Sequence, residues 1–268
     1  MSDPHAAEGH ENFQPSGLEL ALLRSALAPL RMLTSPVMRG VENIPASGAV
    51  MLVGNHGLFA LDMPFMIDEI HRSSGRFVRG VADNAHYAVP GWRDVLTRYG
   101  AIRGTRDNCR SLLAEGEAVL LYPGGGREVA KRKNEKYKLI WKERLGFVSL
   151  AIEAGCPIVP FGAVGADDFY DIILDADHPV FAPLRKLVES RGGRWDIVWP
   201  LVRGIGPTPL PRPQRLYFSF GKPIQTSDWK GRQDDKELLR AVRDQVKSAV
   251  HNQIDALLDE RDATKRQA

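Results

Sequence analysis

The fold is most narrowed by three short apolar runs, each next to glycine, proline or polar residues. Ala49 to Val53 runs into Gly54-Asn55-His56. Val119-Leu120-Leu121-Tyr122 stops at Pro123-Gly124-Gly125-Gly126. Pro157 to Ala163 follows Gly155-Cys156. An apolar run of this length without polar alternation reads as a strand buried on both faces. Helical patterns separate the runs, over about residues 63–73, 90–98, 108–115 and 145–154, with further extended pieces near 37–41, 77–82 and 101–102. Strands alternating with helices predict an α/β fold, a central sheet with helices on both faces. Residues 164–215 are rich in proline and glycine and give no clear element. Residues 216–221 read as a late strand. Leu239, Val242, Val246, Val250, Ile254 and Leu257 mark a long amphipathic helix, with Asp234 and Asp235 near its start, where negative charge is favoured.

Residues 1–17 are polar, with Pro4, Glu8, His10, Glu11 and Pro15, and read as a disordered tail. Leu20, Leu23, Leu27 and Leu30 recur at helical spacing, which predicts an amphipathic helix over 18–36 that Pro29 should kink or end. That helix either packs on the core or lies in a membrane interface with Arg24 and Arg31 near headgroups. Residues 37–260 then form one domain. No segment resembles a signal peptide, and no stretch reaches the roughly 20 apolar residues of a spanning helix. Any membrane contact is therefore expected to be peripheral, from the cytoplasmic compartment.

Composition excludes several classes. The 268 residues carry a net charge of +3, too weak and too dispersed to indicate nucleic acid. Two cysteines, Cys109 and Cys156, give no disulfide framework and no metal-ligand spacing. Both read as small buried hydrophobes.

Three constellations carry possible chemistry. In Val53-Gly54-Asn55-His56, with Asp62 six positions on, a neutral imidazole can take a proton from an attacking alcohol. The carboxylate can orient the ring. The ordinary alternative is a core histidine and a helix-capping aspartate. In Tyr122-Pro123-Gly124-Gly125-Gly126-Arg127-Glu128, successive glycines after a strand can turn backbone N–H groups towards an oxyanion or phosphate. Arg127 adds a charge; an ordinary strand-to-helix turn reads the same way. In Tyr99-Gly100-Ala101-Ile102-Arg103-Gly104-Thr105-Arg106, Arg103 and Arg106 can grip an anion or simply be solvated. Lys131, Arg132, Lys133 and Lys136 form a basic cluster that suits donor phosphates, anionic lipid or a solvated face. No G-x-S-x-G occurs, which argues against a serine hydrolase of the α/β-hydrolase type.

In order and spacing, these segments and Pro157-Ile158-Val159-Pro160 resemble the four blocks of the glycerolipid acyltransferase superfamily, the PlsC-like lysophospholipid acyltransferases. His56 and Asp62 resemble its H-x4-D block, with five intervening residues instead of four. Gly100, Ile102 and Arg106 match G-x-I-x-x-x-R. Residues 122–127 resemble F-P-E-G-T-R, with Gly124 where the family has Glu and Glu128 as the next carboxylate. That form is similar to the branch containing mono- and diacylglycerol acyltransferases and phytyl-ester synthases. The resemblance implies a mixed, mostly parallel sheet. It also implies direct acyl transfer without a cofactor or metal, from acyl-CoA or acyl carrier protein to a lipid alcohol.

His56 would be the base and Asp62 its orienting partner, with an expected hydrogen bond between them. Gly124, Gly125, Gly126, Arg127, Glu128, Arg103 and Arg106 would stabilise the oxyanion or bind substrate. The altered third block suggests a neutral acceptor. Retention of Arg106 keeps a phosphate-bearing acceptor open. An inactive lipid-binding protein and a thioesterase or lipase are the other readings. A paired His56 and Asp62 requires 56–62 to be loop or broken turn, because a regular helix would set residues six apart on nearly opposite sides.

Overall fold

The computed structural model describes residues 14–87 and 89–267, so residues 1–13 of the expected tail lie outside them. Helix α1 spans Gly17–Thr34 and begins with a reciprocal cap. The Ser16 N–H donates to Glu19 Oε2 at 2.7 Å, and the Glu19 N–H donates to Ser16 Oγ at 3.3 Å. Of the two outcomes expected at Pro29, the helix does not end there but continues to Thr34, close to the 18–36 span read from the sequence. Proline removes one helical hydrogen bond, but tertiary anchors hold the turns beyond it. Arg31 donates to Glu69 at 2.7 Å, and the Thr34 carbonyl accepts the Leu216 N–H at 2.8 Å.

Strand β1 (Val37–Arg39) precedes β2 (Val50–Gly54), and α2 covers Met63–Ser74. Arg24 of α1 donates to Asp68 of α2 at 2.6 Å. Both arginines that the interfacial reading placed near headgroups are thus tied to α2. Strand β3 (Val78–Ala82), short helices α3 (Asn84–Tyr87) and α4 (Trp92–Arg98), strand β4 (Ile102–Arg103) and helix α5 (Arg106–Ala114) follow. Then come β5 (Ala118–Leu121), the single-turn α6 (Gly126–Val129), α7 (Gly146–Ala154) and β6 (Ile158–Val164). The stretch unreadable from sequence contains β7 (Asp171–Leu174), α8 (Ala182–Ser190) and β8 (Leu201–Arg203). Strand β9 (Tyr217–Phe220) and helix α9 (Lys236–Gln267) close the chain. Asp235 caps α9, accepting the N–H groups of Glu237 and Leu238 at 3.1 Å.

The main sheet has the order β1-β9-β6-β2-β5-β3-β4, and β7 and β8 form a separate antiparallel pair. Neighbours in the main sheet are parallel except β6 and β9, so the sheet is mixed and mostly parallel, as expected. Five-residue β2 is buried at every position because both faces are covered. On one face, α5, α7 and α9 pack with Trp141, Phe147, Leu112 and Val246. On the other, Phe65, Met66 and Ile70 of α2 pack against Leu52, Leu120 and Phe161. Cys109 and Cys156 are buried with free thiols, as expected, and burial pushes them up to about 11 and about 12.

Candidate active site

Three adjacent parallel strands run out at one edge of the sheet. Register places Val53 of β2 beside Leu121 of β5 and Pro160 of β6. The residues just beyond these strands therefore converge, as expected at the carboxyl ends of a parallel sheet. They are Asn55 and His56 after β2, Tyr122 after β5, and Ala166 and Asp167 after β6. Asn55 is buried and bridges to β6 through both ends of its amide. Its Nδ2 donates to the Ala163 carbonyl at 2.8 Å, and its Oδ1 accepts the Ala163 N–H at 2.7 Å. This pins the loop entering His56.

The His56 ring stacks on Tyr122, with centroids 3.8 Å apart and planes 11° from parallel. Its peptide is gripped on both sides. The His56 N–H donates to Glu128 Oε2 at 3.0 Å, and its carbonyl accepts from Lys131 Nζ at 2.7 Å. Two residues on, the Leu58 N–H donates to Asp167 Oδ1 at 2.8 Å. Burial first, then the Lys131 charge and last His86, pull the imidazole from 6.5 down to about 3. His56 is therefore neutral at physiological pH, the form a general base requires.

Residues 56–62 are not continuous helix. A 3-10 turn covers Leu58–Ala60, and α2 begins at Met63 with Pro64 in its first turn. That meets the backbone condition for a pair. The expected side-chain hydrogen bond is nevertheless absent: His56 Nδ1 and Asp62 Oδ1 are both buried and without a hydrogen-bond partner. Asp62 makes no capping hydrogen bond to the first turn of α2, and burial raises it to about 6. Gly57 is required for a different reason than unusual backbone freedom. Its φ of −72° is ordinary, but a Cβ there would lie 2.8 Å from Asp62 Oδ2 and 2.7 Å from the Ala166 Cβ. The left-handed residues of the loop are Phe59 and Ala60.

The glycine turn differs from expectation as well. Gly125 takes φ 52° and ψ −151°, conformations open to glycine, and its N–H closes the turn on the Tyr122 carbonyl at 2.9 Å. It is therefore not a free oxyanion donor. Glu128 is fully buried and spent on backbone: its second oxygen accepts the Ile140 N–H at 2.7 Å. Gly124 makes room for it, since a Cβ at 124 would lie 2.0 Å from Glu128 Cδ.

Arg127 is held bidentately by Glu135, at 2.6 and 2.9 Å. Arg106 reaches Ser149 and Glu153, and Arg103 lies over the Tyr87 ring. Of the basic cluster, Lys131 is buried on Asp167 at 2.6 Å, and Arg132 is buried on Asp177 at 2.8 Å. Lys133 and Lys136 are exposed, the latter paired with Asp168. A polar cavity of about 400 Å³ beside α6 and α8 is lined by Arg127, Arg132, Asp177 and Arg185, with its cations already matched by acids.

Sequence reasoning missed one residue at this site, Asp167, and gave another, Lys131, a different role. Asp167 bears no motif, though its place just beyond a central parallel strand is where site residues collect. Lys131 was hidden among neighbouring lysines and arginines.

Residues 35–164 match the family model described as Acyltransferase, so this stretch is an acyltransferase-family domain. It is 33% identical to phytyl ester synthase 2, chloroplastic, of Arabidopsis thaliana, over 90% of this chain and 37% of that protein. It is 35% identical to the DGAT1/2-independent enzyme synthesizing storage lipids of Bos taurus, over 46% of this chain and 36% of that protein. The chain thus spans under two-fifths of the length of these relatives. Among solved structures, the 1-acyl-sn-glycerophosphate acyltransferase PlsC from Thermotoga maritima aligns with a TM-score of 0.47 at 14% identity, covering 85% of this chain and 78% of that one.

Proposed function

We propose that this chain moves a fatty acyl group from acyl-CoA or acyl carrier protein to the hydroxyl of a neutral lipid alcohol, such as a mono- or diacylglycerol or a long-chain alcohol. His56 takes the hydroxyl proton as the oxygen bonds to the thioester carbonyl. The tetrahedral adduct collapses, the C–S bond breaks, and the thiolate recovers the proton from the imidazolium. N–H groups of Gly124 and Gly126 stabilise the oxyanion, and Asp62 stabilises the imidazolium. Hydrogen bonds of this kind often tighten only in the bound complex.

The observation that carries the reading is the buried, neutral His56 at the edge where three strands converge. The neutral acceptor is supported by Arg106 and Arg127, whose charges are already matched by Glu153 and Glu135. The relatives named for phytyl esters and storage lipids agree with it. The deciding test incubates pure protein with labelled acyl-CoA and a panel of phytol, diacylglycerol, lysophosphatidate and glycerol 3-phosphate. Neutral esters are the expected products. Products only from phosphate-bearing acceptors would reverse the acceptor assignment. Free fatty acid alone would make the protein a thioesterase, and no turnover an inactive binder.

The two shifts also set a pH profile. Neutral His56 persists down to about 3, while Asp62 is ionised only above about 6. The acid limb of kcat/KM is therefore expected near 6 and to belong to Asp62. Asp62→Asn is expected to lower the rate and abolish that limb. An unchanged limb in the variant would assign it to another group.

Peripheral membrane contact is also part of this reading. Among the described residues, no helix is long and apolar enough to cross a membrane. Leu20, Leu23 and Leu27 turn towards the protein, whereas Leu18, Leu22, Met32 and Leu33 of α1 are exposed. Leu18, Leu22 and Leu33 fall within one side of the helix. Leu22→Glu with Leu33→Glu is expected to weaken co-sedimentation with anionic vesicles while leaving thermal stability unchanged. Equal sedimentation of variant and wild type would exclude α1 as the contact.

A further inference from the structure

We propose that the buried Lys131–Asp167 pair is a positioning device for His56, holding its peptide in the geometry for proton transfer. This rests on His56 being the base. Neither residue belongs to the four sequence blocks, and Asp167 lies beyond the 35–164 span that matches the family.

The geometry has three parts. Lys131 Nζ reaches the His56 carbonyl at 2.7 Å and Asp167 Oδ2 at 2.6 Å, so one ammonium links the loop after β2 to the turn after β6. Asp167 returns to the same loop through Oδ1, which accepts the Leu58 N–H at 2.8 Å. Its Oδ2 also accepts the Tyr137 N–H at 2.7 Å, which fixes the segment that follows Lys131. The two side chains are each 2% exposed. With Glu128 on the His56 N–H, the loop is held from residue 56 to 58 by three charged side chains, all contacting backbone. Positional errors of about 1 Å in a catalytic group cost roughly 10²-fold in rate, so a clamp on the backbone acts directly on turnover.

The ion pair is also electrostatic. The charged or titratable groups around the imidazole are Glu128 in α6, Lys131 just after it, Asp62 before α2, Asp167 after β6, His86 on α3 and Tyr122 after β5. Lys131 disfavours imidazolium, which keeps His56 unprotonated until a substrate proton arrives. Burial alone points the same way, so the geometry and not the shift distinguishes the pair.

The test uses Lys131→Met with Asp167→Asn in the full chain. Removing one partner alone changes the net charge of the buried cluster and risks the fold, whereas removing both leaves that net charge unchanged. The double variant is expected to lose some thermal stability yet stay folded at assay temperature, because the amide of Asp167→Asn can accept only one of the Leu58 and Tyr137 N–H groups and the His56 carbonyl loses its donor. Its kcat is expected to fall about 10²-fold, with KM for acyl-CoA nearly unchanged. The His56 ring signals, followed by NMR, are expected to titrate at higher pH than in the wild type. A folded double variant with wild-type kcat and an unmoved His56 titration would overturn the proposal. His56→Ala, measured alongside, separates the two levels. An active His56→Ala removes the base assignment itself. An inactive His56→Ala beside a fully active double variant removes only the role of the pair.

Discussion

Replacing His56 with alanine is expected to reduce acyl transfer by about 10²–10⁴-fold, the usual contribution of a general base. The fold should survive. The His56 peptide is held through its backbone by Glu128 and Lys131, contacts that alanine keeps. What disappears is the ring stacked on Tyr122. A stability measurement gives an independent control with a definite sign. The wild-type imidazole stays neutral down to about 3 in the folded protein but takes a proton near 6.5 once unfolded. The unfolded state therefore binds more protons between those values, and this group lowers stability as pH falls through the window. His56→Ala is expected to lose that part of the acid sensitivity. A folded His56→Ala protein with activity within a few-fold of wild type would end the assignment of His56.

The second large effect is expected at Gly124. Alanine there places a Cβ 2.0 Å from Glu128 Cδ, an impossible contact. A carboxylate tip usually escapes cheaply, but this one is buried and bonded to the N–H groups of His56 and Ile140. Forcing it aside leaves buried donors unpaired, at about 1–3 kcal/mol each. Gly124→Ala is therefore expected to cost about 2–4 kcal/mol of stability, with activity down roughly 10²-fold because the His56 peptide loses its anchor. A double-mutant cycle identifies the cause. In a Glu128→Ala background the clash partner is gone, so Gly124→Ala should add little further loss. Strictly additive losses would show that Gly124 acts through something other than Glu128. The pairing also gives a structural reading of the altered third block. The carboxylate that the family pattern has at position 124 is missing here, and a carboxylate from four residues later occupies the space a side chain at 124 would need.

Much of the sheet was readable from sequence because its central strands are apolar at every position. Val50 to Val53, Ala118 to Leu121 and Ile158 to Val164 need no partner information to be recognised as strands covered on both faces. The long helix α9 was readable for the same kind of reason, its buried Leu239, Val242, Val246, Val250, Ile254 and Leu257 following one face. Short elements held by charge were not readable. Strands β7 and β8 are three or four residues long, and Asp171 is tied to Arg212 and Arg203 across tens of positions, contacts that leave no local period. At Pro29 the helix runs on to Thr34, held by an ion pair and a backbone bond to residues far along the chain that no local pattern records.

At the site, the sequence by itself determined that His56 stands at the end of a buried strand, that a glycine turn follows another, and that residues 56–62 cannot be regular helix if the pair is to meet. These follow from local constraints: apolar continuity, turn chemistry and helical periodicity. Only the tertiary structure decided how the pieces are used. It stacked Tyr122 on His56, kept Asp62 off the ring, drew Glu128 in over Gly124 and buried Lys131 on Asp167. A lysine in the run Lys131-Arg132-Lys133 looks solvated in sequence, because burial of a charge depends on a partner brought from 36 residues away. The physical reason is that hydrophobic patterning is written locally, whereas charge compensation is settled between strands that meet only when the sheet is assembled.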